Sequence, residues 1–272
     1  MYHNRPHVED IRAMKKRGEK LSMLYVTTRE EAAAAAAAGI HMLSIEGRFF
    51  DAAMREAAGD CFVQVGLPYG GWGSFQGRPL ATAEDYLRAA FHYAAFGGDA
   101  FYCAASYDIQ KVLCDNHIPV VGHIGLIPSY ITWTGWGAVG KTADEAAALW
   151  RHAQMLERIG VFGAELEVVP DRVAQYLSEN SALVMLGMGA GRHADAQYLF
   201  TEDVCGYGQN HKPRHGKVYR NLAPELARLQ AERVAAFKEF KADVDSGGYP
   251  AAKHTVAMPE GEYDAFLRAI EA

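Results

Sequence analysis

The stretch from residue 120 to residue 188 alternates short β-rich runs with helical runs. Its strands read VVGHIGL (120–126), AELEVV (164–169) and LVMLGM (183–188), and its helices read TADEAAALWRHAQMLERI (142–159) and DRVAQYLS (171–178). Thr142 and Glu145 form a capping box at the start of the long helix, and Gly160 follows its end. Apolar strands that alternate with capped helices are typical of a parallel sheet with helices packed on it.

The same alternation continues on both sides of this stretch. We predict further strands at 21–27, 40–45, 61–67 and 99–105, a weaker one at 198–201, and further helices at 29–39, 49–58, 82–96, 109–116, 223–240 and 260–270. Seven strands and a weaker eighth in 272 residues predict an α/β fold, the (β/α)8 TIM barrel. We expect one barrel domain over residues 1–272 with a C-terminal helical extension. A doubly wound open sheet is the alternative, and no GxGxxG follows a strand to support it.

Composition and charge exclude several classes of protein. The chain has 27 Lys and Arg against 33 Asp and Glu, a formal net charge of −6, so it lacks the basic surplus that binds nucleic acid. It has no run of about 18 apolar residues for a membrane span, and its polar N-terminus lacks the apolar core of a signal peptide. We therefore expect a cytoplasmic protein. The four cysteines form no CxxC pair, and the apolar runs around Cys61 and Cys103 predict buried thiols.

Two glutamates on one strand are the first candidates for chemistry, which in such a barrel lies at the carboxyl ends of the strands. Glu165 and Glu167 are two residues apart, so they face the same side of the strand. Carboxylates on an apolar strand are costly in a core unless they are paired or bind something, and this supports a site. The alternative is that both pair with basic groups such as Arg48 or Arg192.

Three further features each allow two interpretations. His123, between glycines in VVGHIGL, is either a pocket residue or a hydrogen-bonded core histidine. The turn GMGAG at 187–191 can present backbone N–H groups to an anion, although glycines also serve plain turns. The aromatic side chains of Tyr130, Trp133 and Trp136 fit packing or an oligomer contact better than a pocket cover. No lysine lies in a predicted strand, which disfavours a Schiff-base mechanism.

Several motifs resemble those of the ketopantoate hydroxymethyltransferase family, which belongs to the phosphoenolpyruvate mutase/isocitrate lyase group of barrels. They are VVGHIGLIPSY, GKTADEA, ELEVVP, GMGAG and SGGYPAAKHTVAMPE, and the resemblance extends from about residue 8 to residue 260. It implies a (β/α)8 barrel in a homo-oligomer and an aldol-type reaction. In that reaction Mg²⁺ chelates a 2-keto acid, a base forms the enolate, and methylenetetrahydrofolate supplies one carbon.

The resemblance carries over to some site residues and not to others. LEVVP gives Glu167 the role of base or substrate contact, and GHIGL gives His123 the role of pocket histidine. After strand two, Gly47 stands where the family has a metal-binding aspartate, with Glu46 one residue away. After strand three, Gly66 stands where the family has the second aspartate.

Strand four departs from the family as well. FYCAAS places Tyr102 and Ala104 where the family has a lysine and a glutamate. Mg²⁺ prefers carboxylate and other oxygen ligands, so these losses weigh against ordinary ketopantoate synthesis, against Mg²⁺ and against the folate donor. If Mg²⁺ or another divalent metal is bound, Glu46 is the candidate ligand.

The sequence therefore predicts a divergent ketopantoate hydroxymethyltransferase-like enzyme, a transferase or C–C lyase. We expect it to form or cleave a C–C bond of a small 2-keto acid or related carboxylate by an enolate-type step. The predicted catalytic residues are Glu167, His123 and Tyr102, and the predicted substrate contacts are Ser44, Gly47, Glu165, Gly189 and Gly191. The alternatives are a metal-free enzyme with another substrate and reaction, and a catalytically silent relative that binds a ligand or serves as a structural subunit. We also expect a homo-oligomer.

Overall fold

The computed structural model describes residues 5–69, 73–208 and 213–271 of the chain. Its strands are β1 (Leu21–Tyr25), β2 (Met42–Glu46), β3 (Phe62–Gly66), β4 (Ala100–Tyr102), β5 (Val120–Gly125), β6 (Gly163–Glu167), β7 (Val184–Met188) and β8 (Ala196–Phe200). Each strand pairs in parallel with the next, and β8 pairs with β1, so the sheet closes into a barrel. The predicted (β/α)8 barrel is confirmed, and the open-sheet alternative is wrong.

Helices precede, connect and follow the strands along the chain. They are α1 (Val8–Lys16), α2 (Arg29–Ala37), α3 (Ala52–Ala57), α4 (Ala83–Ala95), α5 (Tyr107–Asp115), α6 (Ile131–Thr134), α7 (Ala143–Arg158), α8 (Asp171–Asn180), α9 (Thr201–Cys205), α10 (Ala223–Ser246) and α11 (Glu262–Ile270). The capping box predicted for α7 is present, because the Thr142 side chain accepts the N–H of Glu145. No helix in the described ranges is long and apolar enough to cross a membrane.

A few element boundaries differ from the prediction for local reasons. The helix predicted at 49–58 begins at Ala52, because the Asp51 side chain caps it and a short 3-10 turn, Gly47–Phe49, precedes it. The predicted strand at 198–201 begins earlier, at Ala196, and ends before Thr201, which opens α9.

The inside and the outside of the barrel hold different sets of side chains. On β5, Val121 belongs to the cluster inside the barrel, whereas Val120 and Ile124 belong to the cluster between the strands and the helices. His123 shares the inner side with Val121, because side chains alternate along a strand. Register pairs His123 with Glu165 on β6, which brings the predicted candidates together at one end of the barrel.

The chain divides into two compact units. Met1–Arg220 holds the barrel, and Asn221–Ala272 holds α10 and α11. One barrel domain with a C-terminal helical extension stays a prediction. The four cysteines are free, and Cys61 and Cys103 are buried, as the sequence predicts.

Candidate active site

A cavity of about 440 Å³ opens at the carboxyl end of the barrel strands. Its described lining includes most of the predicted site residues together with a set of aromatic side chains. These lining residues are Ser44, Glu46, Gly47, Arg48, Tyr102, His123, Glu165, Glu167, Tyr25, Tyr69, Tyr198 and Phe200, with others. The strand-end rule of barrel enzymes therefore selects the correct end of this fold.

His123 is buried at the centre of this group, with 2 % of its surface exposed. Its Nε2 lies 2.7 Å from the backbone carbonyl oxygen of Leu126, and its Nδ1 lies 2.8 Å from the Tyr102 hydroxyl. A carbonyl only accepts, so Nε2 carries a hydrogen, and in the neutral ring Nδ1 accepts the hydroxyl hydrogen of Tyr102. The fold thus fixes both the tautomer and the orientation of this imidazole.

The two glutamates of β6 lie on either side of that imidazole. Glu165 Oε2 is 3.6 Å from His123 Nδ1, and Glu167 Oε2 is 3.3 Å from His123 Nε2. The alternative that these carboxylates pair with arginines is wrong, because Arg48 pairs with Glu46 at 2.7 Å. The arrangement gives the histidine a carboxylate on each ring nitrogen, and protonation would make it a charged partner of both.

Glu165 lies at the floor of the cavity. Its Oε1 accepts a hydrogen bond of 2.7 Å from Gln64 Nε2, which also donates to Ser44 Oγ at 3.2 Å. Burial raises the pKa of Glu165 to about 7, although His123 and Gln64 both act to lower it. Near neutral pH this carboxyl group therefore exists in both protonation states, as expected for a group that can exchange protons at a site.

Glu167 lies nearer the opening, and its side chain is 18 % exposed. The backbone around it is tightly held, since its carbonyl accepts the N–H of Leu126 at 2.9 Å and Val168 N–H donates to Met188 O at 2.8 Å. Val168 has a φ of +51°, which is rare for a β-branched residue. Such strain is typical of positions where the surrounding structure aims a functional side chain.

Tyrosines form much of the cavity wall. Burial raises the pKa of Tyr102 and of Tyr198 well above the ordinary value, so both hydroxyl groups remain protonated donors. Burial also raises the pKa of Tyr69 to about 12, and its ring meets that of Tyr102 edge-on at 5.3 Å. The cavity thus combines carboxylates with neutral hydroxyl donors.

A third carboxylate, Glu46, is engaged on both oxygens. The Tyr25 hydroxyl donates to its Oε1 at 2.6 Å, and Arg48 Nε meets its Oε2 at 2.7 Å. A free carboxylate is the ligand that Mg²⁺ would need here.

The described residues do not fit the metal that the family resemblance implies. They contain no group of three or more His, Cys, Asp or Glu side chains placed to hold a metal ion. Gly47 cannot become the missing ligand without rearrangement, because a Cβ there would lie 2.5 Å from the ring of Tyr93. We therefore derive no step through a metal.

Of the glycine turn at 187–191, Met188 lines the cavity, whereas Gly189 and Gly191 are not part of its lining. A Cβ on Gly189 would lie 2.7 Å from His215 Nδ1, and a Cβ on Gly191 would lie 1.7 Å from Asp171 Oδ1. Both residues also have positive φ, so a turn and close packing account for these glycines. Their contact with substrate stays a prediction, and this placement gives it no support.

The aromatic residues after β5 do not pack in the core. Trp133 is 91 % exposed and Trp136 is 71 % exposed, whereas Tyr130 lines a second cavity that His123 also lines, so the oligomer contact and the pocket cover both stay open. Sequence reasoning also missed Gln64 and Tyr25 as parts of the site. The available signal was their position on strands, since Gln64 is a polar residue inside an apolar strand run.

The barrel and the ionisable group at its mouth define a barrel enzyme, and comparison with known proteins gives its family. The family model described as ketopantoate hydroxymethyltransferase matches residues 48–252. The chain belongs to the ketopantoate hydroxymethyltransferase family. This confirms the family resemblance and the expectation of an enzyme of the transferase or C–C lyase kind.

Individual relatives span most of the chain. A 3-methyl-2-oxobutanoate hydroxymethyltransferase of Lysinibacillus sphaericus is 28% identical over 97% of this chain and 98% of its own length. The enzyme of the same name from Thermosipho melanesiensis is 31% identical over 75% of this chain and 73% of its own.

Solved structures agree on the fold alone. The carboxyl transferase domain of Rhizobium etli pyruvate carboxylase, solved with pyruvate, has a TM-score of 0.51 and 14% identity. It is matched over 72% of this chain and 42% of that one. A type I 3-dehydroquinate dehydratase of Clostridium difficile has a TM-score of 0.50 and 8% identity, over 78% of this chain and 92% of that one.

Proposed function

We propose that this chain catalyses an enolate-type step on a small 2-keto acid or related carboxylate, leading to formation or cleavage of a C–C bond. The observation that carries the proposal is the placement of Glu167. Its carboxylate lines the cavity 3.3 Å from a histidine whose other nitrogen bonds a buried tyrosine. A base at the opening, backed by a hydrogen-bonded relay, suits removal of a proton next to a carbonyl group.

The step balances with the side chains of the cavity. The C–H bond next to the substrate carbonyl breaks, its proton forms an O–H bond on Glu167, and the electron pair of the bond moves toward the carbonyl oxygen. Neutral tyrosine hydroxyl groups such as those of Tyr69 and Tyr198 line the cavity in which that oxygen becomes negative. Preorganised donors around a developing oxyanion are usually a large part of catalysis.

Glu165 and His123 support the base rather than replace it. Glu165 is more deeply buried than Glu167 and is held by Gln64, so it is suited to exchange protons with His123. The enolate carbon then either takes back a proton or attacks an electrophile, and the reverse sequence cleaves a C–C bond. The buried carboxyl group with its histidine favours an enzyme over the catalytically silent alternative, because buried ionisable groups are costly to keep.

The test is exchange of the proton next to the carbonyl of 3-methyl-2-oxobutanoate in D₂O, followed by NMR. Glu167→Gln keeps the size of the side chain and removes the base, so the exchange rate should fall by about 10² or more. Glu179→Gln is the control, because Glu179 is exposed, lies outside the cavity lining and accepts a hydrogen bond from Gln175 on its own helix.

The proposal requires exchange by the native chain above the rate in buffer, and an unchanged rate in Glu179→Gln. Absence of exchange by the native chain, or native exchange in Glu167→Gln, would overturn it. The homo-oligomer and the cytoplasmic location expected from the sequence stay predictions.

A further inference from the structure

We infer that Arg48 binds the carboxylate of the substrate, at the position in the cavity where the family resemblance expects a metal. This inference rests on the proposed function and names the charged group of its substrate. It assigns a specificity-determining role to a residue for which the sequence suggested only an ion pair with Glu165 or Glu167.

The position of Arg48 is the first support. It lies in the 3-10 turn Gly47–Phe49 that directly follows β2, and its side chain lines the same cavity as Glu167 and His123. The side chain is 61% exposed, so a ligand that enters the cavity can reach it.

The guanidinium is held in a fixed orientation. Its Nε lies 2.7 Å from Glu46 Oε2 and its Nη2 lies 3.1 Å from Glu46 Oε1. Tyr25 fixes that carboxylate through a 2.6 Å hydrogen bond, and the guanidinium lies over the ring of Phe49 at 4.6 Å. Glu46 engages two of the five N–H groups of the guanidinium and the Tyr25 hydroxyl also interacts with it, which leaves N–H groups that can donate to a second acceptor. Glu46 is accordingly a positioning residue for Arg48.

The charge of the cavity is the second support. Its described lining carries three glutamates and, as its sole lysine or arginine, Arg48. A carboxylate substrate needs a cationic partner in such a cavity, because like charges would otherwise repel it. Arginine suits this role, since its planar fork matches a carboxylate and its charge does not depend on pH.

The backbone before Arg48 is the third support. Gly47 packs so closely on Tyr93 that an acidic side chain cannot occupy that position without a shift. The next residue, Arg48, instead extends a positive charge into the cavity. The chain therefore provides a fixed organic cation beside the end of β2.

The test compares two ligands of nearly equal shape, 3-methyl-2-oxobutanoate and 3-methyl-2-butanone, in which a methyl group replaces the carboxylate. Binding of each is measured by NMR titration on the native chain, Arg48→Gln and Arg48→Lys. Arg48→Gln should weaken binding of the keto acid about tenfold or more, because a charged hydrogen bond contributes about 1.5 kcal/mol or more. It should leave the affinity for the ketone unchanged within about twofold. The affinity of Arg48→Lys for the keto acid should lie between those of the native chain and Arg48→Gln, since lysine keeps the charge and loses the planar, two-pronged donor geometry.

Arg29→Gln is the matched control, because Arg29 forms a 2.9 Å pair with Asp51, is equally exposed and lies outside the cavity lining. It should leave both affinities unchanged. The inference would be overturned if Arg48→Gln weakened the binding of both ligands equally, or did not weaken the binding of the keto acid.

The two proposals can fail separately. If Glu167-dependent exchange persists on the keto acid while Arg48→Gln binds it normally, the inference fails and the proposed function stands. If Arg48→Gln weakens binding of the keto acid but not of the ketone, while the native chain exchanges no proton, the carboxylate site stands and the proposed function fails.

Discussion

The chemistry at the barrel mouth depends on how single side chains share protons. His123 receives the hydroxyl hydrogen of Tyr102 on one nitrogen and donates to the Leu126 carbonyl with the other. Glu165 and Glu167 lie within 3.6 Å and 3.3 Å of those nitrogens. Glu167 near the opening and Glu165 at the floor thus offer two carboxylate acceptors for a proton, with the imidazole of His123 between them.

Glu165 gives a prediction about stability against pH. In the folded chain burial raises its pKa to about 7 from 4.5, while the unfolded chain releases the proton near the lower value. Between these two pH values the unfolded state binds fewer protons, so the free energy of unfolding falls as pH rises and then levels off. The groups that interact with this carboxyl are Gln64, His123 and Glu167, together with the tyrosines Tyr69, Tyr102 and Tyr198.

In Glu165→Gln the side chain is neutral at every pH, so this variant should lack the fall in the free energy of unfolding that Glu165 causes as pH rises. Between about pH 4.5 and pH 8, the free energy of unfolding of the native chain should fall by about 1–3 kcal/mol relative to that of the variant, as measured by urea unfolding. Glu179→Gln serves as the control and should follow the native curve. Parallel curves for the native chain and Glu165→Gln would show that Glu165 has an ordinary pKa.

At the scale of elements, the ends of β5 and β6 lock each other in place. Gly125, with a φ of +101°, ends β5, and a Cβ there would lie 2.2 Å from the carbonyl oxygen of Glu167. That close approach lets Leu126 donate to the same carbonyl and accept from His123. One glycine therefore sets the relative position of the proposed base and the histidine.

Gly125→Ala should destabilise the fold and impair the site together. A clash with backbone combined with a positive φ predicts a loss of more than about 2 kcal/mol in the free energy of unfolding. Gly137→Ala is the control, because a Cβ at Gly137 meets nothing within 4 Å. It should stay within about 0.5 kcal/mol of the native chain. Equal stability of the two variants in thermal or urea unfolding would contradict this account.

The elements were predictable to different degrees. The apolar runs and capping boxes gave the strands and long helices because these signals are local, and β6 and α7 lie within one residue of the prediction at their start. The last strand was a weak prediction because AQYLF mixes a polar residue into a short run. The turn at 187–191 was ambiguous, because the partners that require its glycines, His215 and Asp171, are distant in sequence or in another element.

The site was predictable where strand ends carried it. Glu165, Glu167 and His123 followed from the alternation of side chains and the strand-end rule, and the structure brings them together. The network around them was not predictable, because Gln64 reaches Glu165 from β3 across the barrel interior, and Tyr25 on β1 holds the carboxylate of Glu46 on the neighbouring strand β2. Pairwise contacts of this kind depend on closure of the barrel, which a local pattern does not describe.

At the scale of the whole molecule, the chain has the barrel of the ketopantoate hydroxymethyltransferase family, and the sequence predicts that the charge at its mouth departs from that of the family. Glu46 is bound to Arg48 and Tyr25, and the described residues offer no set of three metal-ligating side chains. The central claim is that the side chains of the mouth suffice for the enolate-type step. The expected homo-oligomer would place Trp133 and Trp136 at a contact between copies.

The measurement that tests this claim most directly is the exchange of the proton next to the carbonyl of 3-methyl-2-oxobutanoate by the native chain, dialysed against EDTA and assayed in D₂O. The account predicts that exchange persists with the chelator, does not increase when Mg²⁺ is restored, and is lost in Glu167→Gln by about 10² or more. Loss of exchange in EDTA with recovery on addition of Mg²⁺ would contradict it.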